Sequence, residues 1–390
     1  MRWLESWKGW RRYRRLDSSW KKIVFYSESG QDWHFYEPLI SELLERHDEQ
    51  VTYVSSDACD AGLKLKHPRY VSLCIPGGLF LIIHFQVLKA HLLVLTMMDL
   101  GNLQLKKSIY PVHYVYLFHS MGSTHMVDHA NSYDAYDTLF CVGPHHVAEL
   151  RRREALSGLP PRHLFHYGHP RLESLLKESQ ARTNVRQQAG RPVVLIAPTW
   201  GENAILARHG ETLLKTLLEA DFHVIVRPHH QTIRLTPNVV QRLLDRFDDH
   251  PRLEIVTEMA ESASLFRSDV LISDWSAMAI EYFLGLEKPV LFIDVPRRIR
   301  NPDWERWEIE PFEAAIRLQA GTVLHPGAIK EVAHCIRSLM SRRPEFQARA
   351  RDLRAAAVFN PGSSAALGAA ELVRLASQPA NHAPAGQAHG

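Results

Sequence analysis

The sequence predicts an α/β chain built from two doubly wound domains, each a parallel sheet with helices on both faces. Three observations carry that prediction. Short apolar runs alternate with longer helical patterns along most of the 390 residues. The runs are β-branched or continuous rather than alternating, as expected for parallel strands buried on both faces. They also fall into two successive series, so each half of the chain has a set of its own.

The first series is Lys22–Ser27, Val51–Ser55, Tyr70–Leu73, Leu92–Thr96, Tyr114–His119 and Thr138–Val142. The second is Val193–Ala197, Phe222–Val226, Glu254–Val256, Val270–Ile272, Pro289–Ile293 and Gly321–Leu324. Helical stretches such as Pro38–Arg46 and Glu211–Ala220 separate them. A polar stretch, Lys177–Gly190, reads as the boundary. The expected organisation is a basic and aromatic segment over 1–20, one domain over 21–185 and a second over 190–345. A helical segment over 346–375 and a tail over 376–390 too poor in apolar residues to order itself complete the chain.

Composition excludes several classes. With 45% hydrophobic and 23% charged residues the chain is neither disordered nor a membrane bundle. The net charge of +3 carries no polyanion-binding character, and no nucleic-acid partner is expected. Cys59, Cys74, Cys141 and Cys335 are far apart and form no CxxC pair, which argues against a disulfide framework or structural zinc and favours a reducing compartment. The longest uncharged run, Val71–Leu88, is broken by Pro76, Gly77 and Gly78. It reads as strand, turn and core helix rather than a membrane span.

Residues 1–22 carry eight basic against two acidic side chains, together with Trp3, Trp7, Trp10, Tyr13 and Trp20. On a helix Trp3, Trp7 and Trp10 share a face roughly opposite Lys8, Arg11, Arg12 and Arg15. Two readings are open: an interfacial helix at an anionic membrane surface, or a helix docked on its own domain.

Ligands of open α/β sheets bind at the carboxyl ends of the strands, so the residues following each strand are the candidates. The first strand runs into Glu28, Ser29, Gly30 and Asp32, either a capping loop or a ligand contact, with no GxGxxG fingerprint. The strand Tyr114–Phe118 delivers His119, followed by the small residues Gly122 and Ser123. Its imidazole suits a general base at neutral pH. In the second half the strand ends deliver Thr199 and Trp200, then Arg227, His229 and His230, a set suited to a phosphate. The adjacent histidines have no carboxylate at a metal-ligand spacing, and no metal is expected. The turn Ser273-Asp274-Trp275-Ser276-Ala277 leads into a helix whose first N–H groups would form an anion site. Asp274 and Ser276 equally fit an ordinary N-cap. Glu281 reads either as a ribose contact or as an exposed helix acid.

Taken in order, the His119 strand end, Gly168-His169-Pro170-Arg171, Ala197-Pro198-Thr199-Trp200, Arg227-Pro228-His229 and Ser273-Asp274-Trp275-Ser276 resemble the CDP-glycerol glycerophosphotransferase family of teichoic-acid synthesis. Phe359-Asn360-Pro361-Gly362-Ser363-Ser364 is similar to that family's closing segment. The resemblance spans about residues 110 to 375. It implies a GT-B architecture, two Rossmann-like domains facing across a cleft. It also implies His119 as acceptor base, His229 toward the donor pyrophosphate, Asp274, Ser276 and Glu281 in the donor site, and Arg171 on the acceptor side. The run His119-Ser120-Met121-Gly122 departs from the family's His-Gly-Thr pattern, which leaves the acceptor less defined than the donor.

The expected function is transfer of a glycerol-phosphate or related polyol-phosphate unit. The donor would be a CDP-polyol, acting as substrate with no further cofactor, and the acceptor a glycan or lipid-linked hydroxyl. The implied location is cytoplasmic, peripheral at the inner face of the membrane through residues 1–20. The alternative on the same architecture is a glycosyltransferase or UDP-sugar 2-epimerase-like enzyme using a nucleotide sugar.

Overall fold

A computed structural model describes residues 2–102, 104–182, 190–247, 250–257 and 262–379. The chain divides into two compact units. The first is formed by Met1–His119, His129–Arg171 and Val358–Gly390, the second by Ser120–Asp128 and Leu172–Ala357.

The first unit holds a seven-stranded parallel sheet of β1 (Ile23–Ser27), β2 (Val51–Ser55), β3 (Tyr70–Cys74), β4 (Leu92–Leu95), β5 (His113–Leu117), β6 (Thr138–Cys141) and β7 (His163–His166). The order is β3-β2-β1-β4-β5-β6-β7. β1 pairs in register with β2 from Ile23↔Val51 and with β4 from Ile23↔Leu92. β1, β2, β4 and β6 are buried along their whole length, which is why their sequences run continuously apolar. β7 escaped the sequence reading because His-Leu-Phe-His is an edge strand whose two histidines face solvent.

The second unit holds six parallel strands: β8 (Val193–Ile196), β9 (His223–Val226), β10 (Leu253–Ile255), β11 (Val270–Ser273), β12 (Val290–Ile293) and β13 (Gly321–Leu324). Their order is β10-β9-β8-β11-β12-β13, the same winding as the first sheet.

Three boundaries differ from the expected ones. The division falls at Arg171/Leu172, inside the first turn of a continuous helix Pro170–Arg182, rather than in Lys177–Gly190. Leu172 and Leu175 lie in ordinary to close contact with the position a Cβ on Gly285 would take, so this helix is packed in the second unit despite its polar end. Residues 183–189 lie outside the described residues.

The segment expected over 346–375 is also not one unit. The helix Arg343–Ala357 belongs to the second unit, where Arg354 donates to the Leu284 carbonyl at 2.5 Å and pairs with Glu287 at 2.9 Å. The helix Ser364–Ala376 belongs to the first, where it packs on the helix Trp33–Glu45 and contributes Ala369, Leu372 and Leu375 to the core. Ala376, expected to open a structureless tail, closes that helix and is buried in the same core. Residues 380–390 lie outside the described residues.

The amino-terminal helix Arg2–Arg14 is docked on its own unit. Ser6 and Tyr13 are buried: the Ser6 hydroxyl donates to the Pro76 carbonyl at 2.8 Å, and the Tyr13 hydroxyl to that of Lys89 at 2.9 Å. Gly9 permits this approach, since a Cβ there would overlap the Cys74 carbonyl oxygen at 2.1 Å. Trp3 and Trp10 lean on Phe80 of the helix Leu79–Gln86, formed by the second part of the Val71–Leu88 run. The buried line is therefore Ser6–Gly9–Tyr13, with the tryptophans on its flank. Among the described residues no helix is long and apolar enough to cross a membrane.

The return of the chain to the first unit is pinned at Gly168. Its φ is +101°, and a Cβ there would lie 2.2 Å from both the Phe359 carbonyl oxygen and the Ser364 hydroxyl. Phe359 N–H donates to the Val142 carbonyl at 2.9 Å, and its ring stacks on His166 at 4.0 Å. Gly168→Ala is expected to lower stability by more than the ~1–3 kcal/mol of backbone strain alone. Gly362→Ala has a φ of +89° but open space around the added carbon, so it should cost only that strain. Denaturant unfolding of the two variants checks the difference, and equal losses would contradict the packing role.

Candidate active site

In both sheets the winding direction reverses beside the central strand, between β1 and β4 and again between β8 and β11. Parallel sheets bind ligands at the carboxyl ends of such strands. The candidate residues sit at those ends in each unit.

In the second unit, β8 runs into Thr199 and Trp200, and β11 into Asp274. The Asp274 side chain is fully buried and accepts backbone N–H bonds from Thr199 at 2.7 Å, Trp275 at 2.7 Å and Ile205 at 3.3 Å. Burial pushes its carboxyl above the usual range, and the N–H donors pull it back. Asp274 thus ties the β8 loop to the β11 loop across the reversal point. This corrects the reading of Asp274 as a donor contact or helix cap. Ser273 is likewise structural, donating to the Ala197 carbonyl at 2.8 Å. Trp275 is buried: its indole N–H donates to the Val295 carbonyl at 2.7 Å, and its ring lies under Arg317 and Arg297.

The cap on the helix Met278–Leu286 comes from Ser276, whose hydroxyl accepts the Met278 N–H at 3.3 Å, with Ala277 between them. Glu281 is inside this helix and buried, so it is not an exposed helix acid.

β9 delivers Arg227, which is buried, followed by His229 and His230. His229 Nδ1 accepts the Gln231 N–H at 3.1 Å. This assigns the proton of the neutral ring to Nε2, leaving His229 a hydrogen-bond donor rather than a base. Burial, then His230 and Arg298, push its pKa down to about 3, which keeps it neutral at physiological pH. Burial followed by Arg234 also lowers His230. The Trp200 ring lies 6.3 Å from that of His229, and the Arg298 guanidinium stacks on Trp200 at 3.8 Å. Arg298, on the loop after β12, was missed by the sequence reading.

In the first unit, the loop after β1 is ordered by Asp32. Its carboxylate accepts the N–H of Glu28 at 3.1 Å and of Ser29 at 3.3 Å, and the Ser27 hydroxyl at 3.3 Å. Ser29 Oγ accepts the Gln31 N–H in return, completing a capping box. Gly30 donates its N–H to Asp57 at 2.9 Å. Burial raises Asp32, and His119 is the largest influence opposing that rise. Glu28 is pushed up to about 7 by burial and then by Asp32.

His119 lies past β5, with Nδ1 at 3.5 Å from the Tyr116 hydroxyl. The Phe35 ring sits 5.8 Å from His119, 6.1 Å from His169 and 6.0 Å from the Arg171 guanidinium. His119, Arg171, Asp32 and Glu28 therefore gather at one end of the first sheet around a phenylalanine that carried no sequence signal.

Gly122 and Ser123 belong to the second unit, where Ser123 is buried at the start of the helix Phe312–Ala320. Its hydroxyl accepts the Phe312 N–H at 2.6 Å, and its own N–H donates to Glu313 at 3.0 Å. The Ser123 hydroxyl and N–H are thus both engaged in holding this helix start. Among the described residues no cluster of histidine, cysteine and carboxylate side chains could hold a metal ion.

Residues 125–298 match the model of the CDP-Glycerol:Poly(glycerophosphate) glycerophosphotransferase family. Over this stretch the chain is similar to that family. The matched stretch contains His169 through Arg171, Thr199, Arg227, His229 and Asp274, the order in which the sequence carried its resemblance.

A search of curated proteins finds no match. Among solved structures, the wall teichoic acid polymerase TagF, in a form soaked with CDPG, has 14% identity and a TM-score of 0.58 over 96% of this chain and 95% of that one. The UDP-GlcNAc 2-epimerase of Methanocaldococcus jannaschii has 13% identity and a TM-score of 0.57 over 90% and 99%. WaaG, a glycosyltransferase of lipopolysaccharide biosynthesis, has 10% identity and a TM-score of 0.52 over 90% and 99%. At these identities the likeness is one of fold, two parallel α/β sheets of GT-B type. The family matched over 125–298 is one of glycerophosphotransferases.

The Glu28 carboxyl gives a pH test. Its pKa of about 7 in the folded chain lies above the ordinary 4.5, so folding favours the protonated form. The stability this contributes is complete below about pH 4.5 and lost as pH rises through about 7. Glu28→Gln is expected to remove that loss and so gain stability over the parent at pH 8 relative to pH 4. Glu28 is exposed as a residue, so the test bears on its carboxyl alone: unfolding curves across this range check it, and parallel curves for the two proteins would contradict a raised Glu28 carboxyl.

Proposed function

We propose that the second unit holds a CDP-activated polyol phosphate and that His119 of the first takes the proton of an acceptor hydroxyl on a glycan or lipid-linked chain. The observation that carries the donor half is the fixed tautomer of His229. A neutral imidazole presenting Nε2–H, grouped with Arg298 and with Trp200, whose loop Asp274 holds in place, is a receptor for phosphate oxygens.

In the reaction the acceptor oxygen attacks the phosphorus that bears the polyol. The bond from that phosphorus to the bridging oxygen breaks, and CMP departs with the electron pair. The acceptor proton passes to His119. Negative charge grows on the departing phosphate, where the His229 N–H and the helix start after Ser276 stabilise it. A preorganised donor of this kind is worth about 2.7–4 kcal/mol. Asp32 orients and balances the His119 imidazolium, a role supported by their electrostatic coupling.

His229→Ala is expected to cut CMP release by ~100- to 1,000-fold, and His119→Ala by ~100- to 10,000-fold. Both should melt as the parent does. The assay is purified protein with CDP-glycerol or CDP-ribitol and an acceptor, following CMP by mass spectrometry. Near-parental rates in His119→Ala would remove it as the base, and turnover or thermal stabilisation with UDP-sugars alone would favour the nucleotide-sugar alternative.

The proposed setting is cytoplasmic, at the inner face of the membrane. The surface offered is narrower than the tryptophan stripe. Lys8, Arg11 and Arg14 of the first helix and Arg15 just after it are exposed, and Trp3, Leu4 and, on the helix Leu79–Gln86, Leu79 are 62%, 50% and 63% exposed. Exposed cations beside a few exposed apolar side chains suit an anionic bilayer surface. The triple variant R11E/R14E/R15E is expected to lose sedimentation with vesicles containing phosphatidylglycerol, and the parent to release from them as salt rises. Equal binding of both proteins, or parental binding to purely zwitterionic vesicles, would contradict this placement.

A further inference from the structure

Arg298 lies outside the motifs that carry the family resemblance, on the loop between β12 and the short helical turn Trp304–Trp307. Three arginines cluster there, at 297, 298 and 300, and their surroundings differ. Arg297 is committed to structure: it pairs with Glu310 at 3.1 Å and stacks on Trp275 and Trp304. Arg300 is held through its backbone, its N–H donating to the Met126 carbonyl at 3.0 Å. Arg298 is instead spread flat on Trp200, the residue at the β8 strand end, and it acts electrostatically on His229 at the β9 strand end.

A guanidinium stacked on an indole keeps its N–H edge in a fixed plane, which suits bidentate contact with phosphate oxygens. The charged and titratable neighbours of this pair are known. Around His229 they are His230 and Arg298; around Arg298 they are Arg300 and Asp128. Asp128 is the one acid among them. Beside Trp200 at the β8 strand end there are thus a neutral N–H donor, His229, and a cation, Arg298.

We propose that Arg298, held flat by Trp200, grips the phosphate oxygens of the donor alongside the His229 Nε2–H, so that the two form a single diphosphate receptor. This rests on the donor reading above, but its test can fail separately.

The experiment is calorimetric binding of inorganic pyrophosphate, CDP and CDP-glycerol to the full chain. It is combined with NMR titration of the His229 ring in the parent, Arg298→Ala, Arg298→Lys, Arg297→Ala and Asp128→Asn. Arg298→Ala is expected to weaken pyrophosphate and CDP binding by ~10- to 100-fold, since hydrogen bonds to charged groups are worth about 1.5–3 kcal/mol. Arg298→Lys should fall between, having charge without the planar edge. Arg297→Ala is expected to change pyrophosphate affinity less than about threefold. In the parent, pyrophosphate should shift the His229 ring signals, and in Arg298→Ala that shift should shrink.

If Arg298 only balances Asp128, Asp128→Asn and Arg298→Ala will lose stability alike, and parental pyrophosphate affinity in Arg298→Ala will overturn the proposal. Parental CDP-glycerol binding in Arg298→Ala overturns it while leaving the donor reading intact. Arg298-dependent binding of pyrophosphate without any binding of cytidine nucleotides supports it and overturns the donor reading. A parent chain that binds none of the three overturns both.

Discussion

The candidate donor site depends on one buried carboxylate. Asp274 takes N–H bonds from the β8 loop and from its own turn after β11, so two loops flanking the sheet's reversal point share one anchor. Everything said of Thr199 and Trp200 follows from that anchor, because a loop carrying a flat indole could otherwise take many conformations. The cost is a charge with no solvent around it, offset by donors whose own N–H groups would be unsatisfied without it. Asp32 does the corresponding work in the first unit, where its carboxylate orders the β1 loop and its charge lies within reach of His119.

The same economy recurs wherever distant parts of the chain meet inside a unit. Ser123 and Glu313 are 190 positions apart, yet the Ser123 N–H donates to the Glu313 carboxylate and its hydroxyl accepts the Phe312 N–H, capping a helix start as a residue adjacent in the chain usually does. Lys288 is buried and donates to the carbonyls of Leu265, Phe266 and Ser268, which close the helix Ala263–Arg267, and burial brings its pKa down to about 7. These are side chains that chemistry could have used and that folding consumes instead. A residue type at a strand end is therefore weak evidence of a role until its hydrogen-bond partners are known.

That distinction marks how far the sequence could be read. Twelve of the thirteen strands were legible because burial on both faces demands runs such as Ile23–Ser27 and Val270–Ser273; β7 was not, because an edge strand with outward histidines makes no such demand. The location of His119, Arg227 and His229 at strand ends followed from the same logic. The discontinuity of the units did not, since nothing local in Ser120–Asp128 or Ser364–Ala376 says which sheet it packs against. Asp274 was visible as a residue, but its three backbone donors were not. Arg298 and Phe35 matter through what they stack on, and stacking partners far apart in the chain leave no periodic trace. The tryptophan stripe of the first helix misled for a related reason. Helical spacing groups side chains on a face, but only the neighbouring Cys74 carbonyl and its fit against Gly9 decide which face is buried.

The central claim is that a diphosphate is cleaved on the nucleotide side of the phosphorus carrying the polyol. It can be tested by following the bridging oxygen. CDP-glycerol labelled with oxygen-18 between its two phosphorus atoms would be turned over by the full chain with an acceptor, and the products read by phosphorus NMR. The account predicts the label in CMP and unlabelled phosphodiester in the extended acceptor. Label released in free glycerol phosphate, with the cytidylyl group carried by the acceptor, would place the broken bond at the other phosphorus and contradict it.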